Sequence, residues 1–245
     1  MIGAGEYELR IWRPVDELRE VAYAGYWNDE AIESEKEWWI LDGDFEPMEQ
    51  YLERSGLGRQ LDAAIDLSER LRGRGLNGTG ADVAAGTLWA VPRLLARGAT
   101  CIYAVEYSVH RLTKLGPALL SHYGVAADEI VLCLGSFEDL RIGEGELDFV
   151  LMSQALHHAD DPSRLLAEAR RVLRSDGVVL VTGEHVVAER RWLPRRFRNM
   201  RDPVLGDHWY RSSDYERLFR DSGFRWERIQ RAGESIQAFV LLPVT

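Results

Sequence analysis

Cysteine is almost missing from this chain: its 245 residues hold two, Cys101 and Cys133, each inside an apolar run. So few thiols exclude a disulfide-built scaffold and read as buried side chains suited to a reducing compartment, so the cytoplasm is the expected location. No apolar run approaches the roughly 20 residues that cross a bilayer, and no membrane role is expected. The opening MIGAGEYELR lacks the basic stretch and apolar run of a secretory leader. Basic charge is also short, with a net charge of −10. Residues 1–80 hold 18 acids against 9 bases, whereas 189–231 hold 12 arginines against 7 acids. An acidic chain lacks the dominant basic face of a nucleic-acid binder, so no nucleic acid is expected as partner. His157 and His158 stand near Asp160 and Asp161, but no second cluster has ligand spacing, so no metal is expected either.

What is present is ordinary globular material, 46% apolar and 29% charged. The first 72 residues read as helical, mixing acids with aromatics such as Trp12, Tyr23, Tyr26, Trp27, Trp38 and Trp39. From about residue 80 the texture changes to short apolar runs: ADVAA (81–85), CIYAV (101–105), IVLCL (130–134), LDFVLM (147–152) and GVVLVTG (177–183). Helical patterns lie between them over 88–97, 109–122 and 162–174. The last is the clearest: Asp161 can cap it, Pro162 suits its first position, and Leu165, Leu166, Ala169, Val172 and Leu173 fall on one face. Continuously apolar strands alternating with amphipathic helices predict an α/β fold, a doubly wound, mostly parallel sheet covered on both faces. Runs at 224–229 and 236–242 would close it as an antiparallel pair, making seven strands. The expected division is a helical N-terminal lid over 1–72 and a Rossmann-like domain over 73–245. A long insertion, about 185–223, precedes the last two strands, and its ERRWLPRRF segment is either a solvated face or a contact for an anionic acceptor.

The stretch GRGLNGTGADVAAGTLW (73–89) offers two registers for a glycine turn between a strand and a helix. A turn at Gly75–Gly80 would follow LSERLRGR, a poor buried strand. A turn at Gly86-Thr87 follows the apolar ADVAA instead. It also places Glu106, at the tip of CIYAV, 20 residues beyond Gly86, where doubly wound sheets hold ribose hydroxyls. The second register is therefore the predicted one, and GLNGTG is a loop or a lead-in to the strand.

In this register the chain resembles class I S-adenosylmethionine-dependent methyltransferases of the small-molecule type. That family's first motif runs acid-x-Gly-x-Gly-x-Gly. Here it reads Asp82-Val83-Ala84-Ala85-Gly86-Thr87-Leu88, with Ala84 and Leu88 at two of the glycine positions. VEYS follows the second strand, LGSFEDL the third, and LDFVLMSQALHHADDPSRLLAEARRVLRSDGVVLVTGEH matches the fourth strand, its helix and the fifth strand. The resemblance spans roughly 78–184. No G-x-G-x-x-G opens the first helix, which argues against a dinucleotide enzyme.

The resemblance implies S-adenosylmethionine as cofactor, with S-adenosylhomocysteine as product. Asp82 belongs to its first motif, and Ala84, Gly86 and Thr87 would meet the amino-acid end. Glu106 would accept from both ribose hydroxyls, with Tyr107 beside it. Ser136 and Phe137 would flank the adenine, and Ser153 and Gln154 would line the cofactor from the fourth strand. Pro92 fits if regular helix begins only near Val91 or Pro92. A Leu88 turned into the crevice would plug it.

Methyl transfer needs alignment of nucleophile and methyl, and in some cases a base for the acceptor's proton. His185 with Glu184 is the first candidate for that base, followed by His158 and by His208 in the insertion. The expected acceptor is an oxygen or nitrogen of a small molecule or sugar-containing metabolite, stacked on the lid's aromatics or bound by the insertion's arginines. A homodimer is a candidate assembly. The alternatives are a binding subunit that keeps the fold without turnover, and a non-methyl reaction using the same cofactor.

Overall fold

Among the described residues, short segments interrupted by helices build one sheet of nine strands, two more than the seven expected, because Glu8–Ile11 and Tyr210–Arg211 join it. The structure is a computed structural model that describes residues 6–14, 17–18, 37–187, 208, 210–229 and 236–244. Along the chain come β1 (Glu8–Ile11), α1 (Glu46–Ser55), α2 (Leu57–Arg72), β2 (Gly78–Val83), α3 (Val91–Ala96), β3 (Ala99–Glu106), α4 (Gly116–His122) and β4 (Ile130–Leu134). Then follow β5 (Leu147–Ser153), α5 (Pro162–Val172), β6 (Leu173–Val187), β7 (Tyr210–Arg211), α6 (Ser212–Asp221), β8 (Phe224–Ile229) and β9 (Ile236–Pro243).

The strand order is β1-β4-β3-β2-β5-β6-β9-β8, with β7 paired to β6. The first six strands of that order run parallel. β9 and β8 then close the sheet antiparallel. Because β2 turns one way to β3 and the other way to β5, a crevice opens at the carboxyl ends of these strands, the usual ligand position in open α/β sheets. One face is covered by α2, α3 and α4 through Leu61, Ala64, Ile65, Leu94 and Leu120. The other is covered by α5 and α6 through Leu165, Leu166, Ala169, Tyr215 and Phe219. At the start of α5, Asp161 Oδ1 accepts from the Ser163 and Arg164 amides, both at 3.0 Å, capping it as its sequence predicts.

The glycines of GLNGTG serve packing. A β-carbon on Gly80 would lie 2.2 Å from the Phe149 ring, and one on Gly78 would lie 2.1 Å from Asp148 Oδ2. Both strands can therefore approach only with glycine there, and Gly78–Val83 is strand throughout.

The reading of residues 1–72 as a helical lid is corrected at two places. Residues 8–11 form β1, which extends the sheet beside β4 in the register Glu8↔Val131 to Ile11↔Leu134. α2 is a covering helix of the sheet, with Leu61, Ala64 and Ile65 fully buried, and cannot act as a lid. Its Gln60 clamps two strands, donating from Nε2 to Ile236 O at 2.9 Å and accepting from the Gly183 amide at 3.0 Å. The aromatics Tyr23, Tyr26 and Trp27, and the ERRWLPRRF segment, lie outside the described residues.

Candidate active site

A cavity of about 560 Å³ lies over the carboxyl ends of β2, β3, β4 and β5, within the range of small-molecule sites. Its sheet side is Ala84–Thr87 after β2, Glu106 and Tyr107 at the tip of β3, Phe137 after β4, and Ser153 and Gln154 at the end of β5. Facing these stand Glu37, Trp39, Pro47, Met48, Tyr51 and Arg54, with Trp89, Arg111 and His158 between the two sides. Eight of the ten residues predicted to hold the cofactor thus come together.

The turn after β2 keeps the conformation of a glycine turn without its glycines. Ala84, Gly86 and Leu88 have φ of +57°, +58° and +67°. A non-glycine residue held there costs on the order of 1–2 kcal/mol. Gln154, at φ +52°, is the third non-glycine residue of this kind among the described residues. All three belong to the cavity or to the turn that shapes it, the distribution expected of strain retained for a site. The Leu88 side chain is fully buried in the core beneath the turn. It fills the space over Gly116, where an added β-carbon would lie 2.4 Å from its Cδ1. Leu88 therefore leaves the crevice open. α3 begins at Val91 with Pro92 in its first turn, so the proline costs no helical hydrogen bond.

Glu106 locks this turn to β3. Its Oε2 accepts from the Gly86 amide at 2.8 Å, and its Oε1 accepts from the Tyr107 and Ser108 amides, both at 2.9 Å. Three of a carboxylate's roughly four acceptor positions are thereby filled, leaving about one for a ligand hydroxyl. The two ribose hydroxyls expected at Glu106 would have to share that position.

Asp82 is 2% exposed and lies within β2, beneath the cavity. Burial, and then the neighbouring charge of Glu106, push its carboxyl up to about 8, so it is neutral at pH 7. Asp82, counted among the residues expected to hold the cofactor, therefore stands outside the cavity lining and supports the turn from below. Ser136 is also outside the cavity lining; its Oγ accepts from the Glu138 amide at 3.2 Å and braces the turn after β4. Ser153 Oγ accepts from Thr182 Oγ1 at 3.0 Å, tying the end of β5 to β6.

The predicted bases divide. Glu184 is fully buried: Oε1 accepts from the Ala155 and Leu156 amides at 3.2 and 3.1 Å, while Oε2 meets His157 Nδ1 at 2.8 Å and Tyr215 Oη at 2.7 Å. Burial raises its pKa, but His157, Tyr215 and the Leu156 amide outweigh that and hold it below the usual carboxylate value. A carboxylate so enclosed anchors the turn after β5 and cannot take an acceptor's proton. His185 is exposed on β6, outside the cavity lining, with its ring 5.5 Å from that of His157. His208 brings the end of the insertion back to β5, its amide donating to His157 O at 2.8 Å, but its side chain does not line the cavity. His158 does line it, its ring 4.2 Å from that of His157.

Arg111, Glu37, Tyr51 and Arg54 were not singled out by the sequence. Pro47, Tyr51 and Arg54 recur at i, i+4 and i+7, and that periodic face of α1 was the available signal.

A sequence profile of a methyltransferase domain family matches residues 81–181. Residues 81–181 are a methyltransferase domain. This match supports the methyltransferase resemblance carried by the motifs. Solved structures share the fold at low identity. An S-adenosylmethionine-dependent methyltransferase from Aquifex aeolicus is 18% identical, with a TM-score of 0.54, covering 74% of this chain and 91% of its own. The 1,6-didemethyltoxoflavin-N1-methyltransferase of Burkholderia thailandensis, solved with 1,6-didemethyltoxoflavin and S-adenosylhomocysteine, is 16% identical. Its TM-score is 0.58, and the match covers 80% of this chain and 87% of that one. YcgJ from Bacillus subtilis is 14% identical with a TM-score of 0.58, covering 75% and 100%. No curated protein matches the sequence. Among the described residues, no group of three or more His, Cys, Asp or Glu side chains could hold a metal ion, and no helix is long and apolar enough to cross a membrane.

Proposed function

We propose that the chain is an S-adenosylmethionine-dependent methyltransferase that binds its cofactor across the turn after β2 and the tip of β3, and methylates an oxygen or nitrogen of a small molecule or sugar-containing metabolite. The observation that carries this reading is the 84–88 turn, which keeps glycine-like φ values while Glu106 Oε2 accepts the Gly86 amide. The residues fit the group: the turn leaves its backbone open to a ligand, and Leu88 packs away from it.

S-adenosylmethionine supplies a methyl already activated by a positive sulfur, so the protein's task is alignment and exclusion of water. Glu106 accepts one ribose hydroxyl, and the Ala84–Thr87 backbone meets the amino-acid end. Tyr107 and Phe137, with ring centroids 6.2 Å apart, offer apolar faces for the adenine. The segment preceding α2 forms the acceptor wall, where Trp39 and Tyr51, joined by Trp89 from the turn before α3, present flat surfaces to a ring or sugar. His158 is the general base of this reading, since it alone of the three predicted histidines lines the cavity. Glu184 positions the adjoining turn through His157. The reading takes a homodimer in the cytoplasm as its setting.

The test is incubation with cofactor carrying an isotopically labelled methyl and a panel of hydroxylated and amino metabolites, read by mass spectrometry. A product heavier by one labelled methyl supports the reading. Bound cofactor with no labelled product across the panel would favour a binding subunit.

A further inference from the structure

Arg111 follows β3 in a π-helical turn, Arg111–Leu115, and its side chain reaches back over the turn after β2. A β-carbon on Gly86 would lie 3.6 Å from Arg111 Nη1, so the guanidinium stands directly above the glycine. Its Nη2 lies 3.3 Å from Glu37 Oε2 and 3.4 Å from Oε1, and both side chains line the cavity. The pair is only 18% and 25% exposed, so it is screened less than a surface pair. Glu37 comes from the N-terminal segment and Arg111 from the far side of the crevice; together they span it above Gly86.

We propose that Arg111 binds the α-carboxylate of the cofactor, and that Glu37 holds the same guanidinium with the same chemical group. The cofactor and the N-terminal segment then compete for one arginine, so cofactor binding frees Glu37 and the wall that carries it. This rests on the cofactor placement proposed above, which puts the amino-acid end at Gly86. An arginine fork matches a carboxylate of either origin. Ion-pair exchange of this kind makes the acceptor wall responsive to the cofactor, because Glu37 is two residues from Trp39 of that wall.

The test compares two nucleosides by calorimetry: S-adenosylhomocysteine, which carries the carboxylate, and 5′-methylthioadenosine, which lacks the amino-acid part. Arg111→Met is expected to weaken S-adenosylhomocysteine about tenfold or more, the range for a hydrogen bond to a charged group, and to leave methylthioadenosine unchanged. Glu37→Gln removes the competitor while keeping its size. It is expected to tighten S-adenosylhomocysteine about two- to fivefold, the worth of a partly exposed pair, again without effect on methylthioadenosine. Equal affinity of S-adenosylhomocysteine for the parent protein and both variants would overturn the proposal. So would a Glu37→Gln effect of the same size on both nucleosides. Failure of the parent protein to bind either nucleoside would instead overturn the cofactor placement, a separate result.

Discussion

The Gly86 amide donates to Oε2 of Glu106 across 2.8 Å, joining the turn after β2 to the tip of β3. One carboxylate thus shapes the turn and is left with about one free acceptor position for a ligand. Glu106→Gln must point its amide at a backbone N–H that now donates to oxygen. The variant is expected to lose about 1–3 kcal/mol of stability for that mismatched donor. It is also expected to bind S-adenosylhomocysteine at least about tenfold more weakly, since a charge-assisted bond becomes a neutral one. Thermal unfolding and calorimetry measure the two effects separately.

Ala84 sits at φ +57° where glycine would be unstrained. Ala84→Gly is expected to stabilise the protein by about 1 kcal/mol, raising Tm by roughly 2–4 °C for a chain of this size. Leu88→Gly relieves similar strain but empties a fully buried site. Its net effect is expected to be a loss of about 2–4 kcal/mol. Differential scanning calorimetry distinguishes gain from loss.

The centre of the sheet was legible because its strands are short runs rich in apolar residues. IVLCL and the run at 224–229 match β4 and β8 residue for residue, and the 20-residue spacing of Gly86 and Glu106 is realised as a hydrogen bond. Less was legible where tertiary packing sets the outcome. β1 is a four-residue strand whose ELRI only alternates polar and apolar residues, too short a pattern to stand out, and pairing with β4 makes it a strand. Glu184 looked like a base because an acid beside a histidine at a strand end fits catalysis. Its enclosure by Tyr215, 31 residues away, could not be read from spacing. The residues expected to face the cofactor lie in contiguous motifs, and eight of them meet around the cavity. The opposite wall comes from separate segments, and Arg111 and Glu37 meet across 74 residues.

Asp82 has a folded-state pKa of about 8 against an unfolded value near 3.9. Between about pH 4 and pH 8 the folded protein therefore holds one proton more than the unfolded chain, and stability falls as pH rises through that window. Asp82→Asn keeps the neutral shape and removes this dependence. Its advantage over the parent is expected to grow from pH 4 to pH 8 and then level off, as measured by denaturant unfolding at stepped pH.

The Tyr215 hydroxyl donates to Glu184 Oε2 at 2.7 Å inside the core. Tyr215→Phe is expected to cost about 1.5–3 kcal/mol, the range for a bond to a charged group. The pKa of Glu184 is lowered on folding. Its contribution is therefore present above the unfolded carboxylate value and lost as pH falls through the folded one. The deficit of the variant is expected to be full at neutral pH and to shrink in acid, which urea titrations at several pH values would follow.

The most direct measurement of the central claim is a crystal structure of the chain with S-adenosylhomocysteine. The expected result is a ribose hydroxyl within about 2.7–3.2 Å of the Glu106 carboxylate and the amino-acid end above Gly86. A nucleoside bound elsewhere, or its ribose turned away from Glu106, would contradict the account.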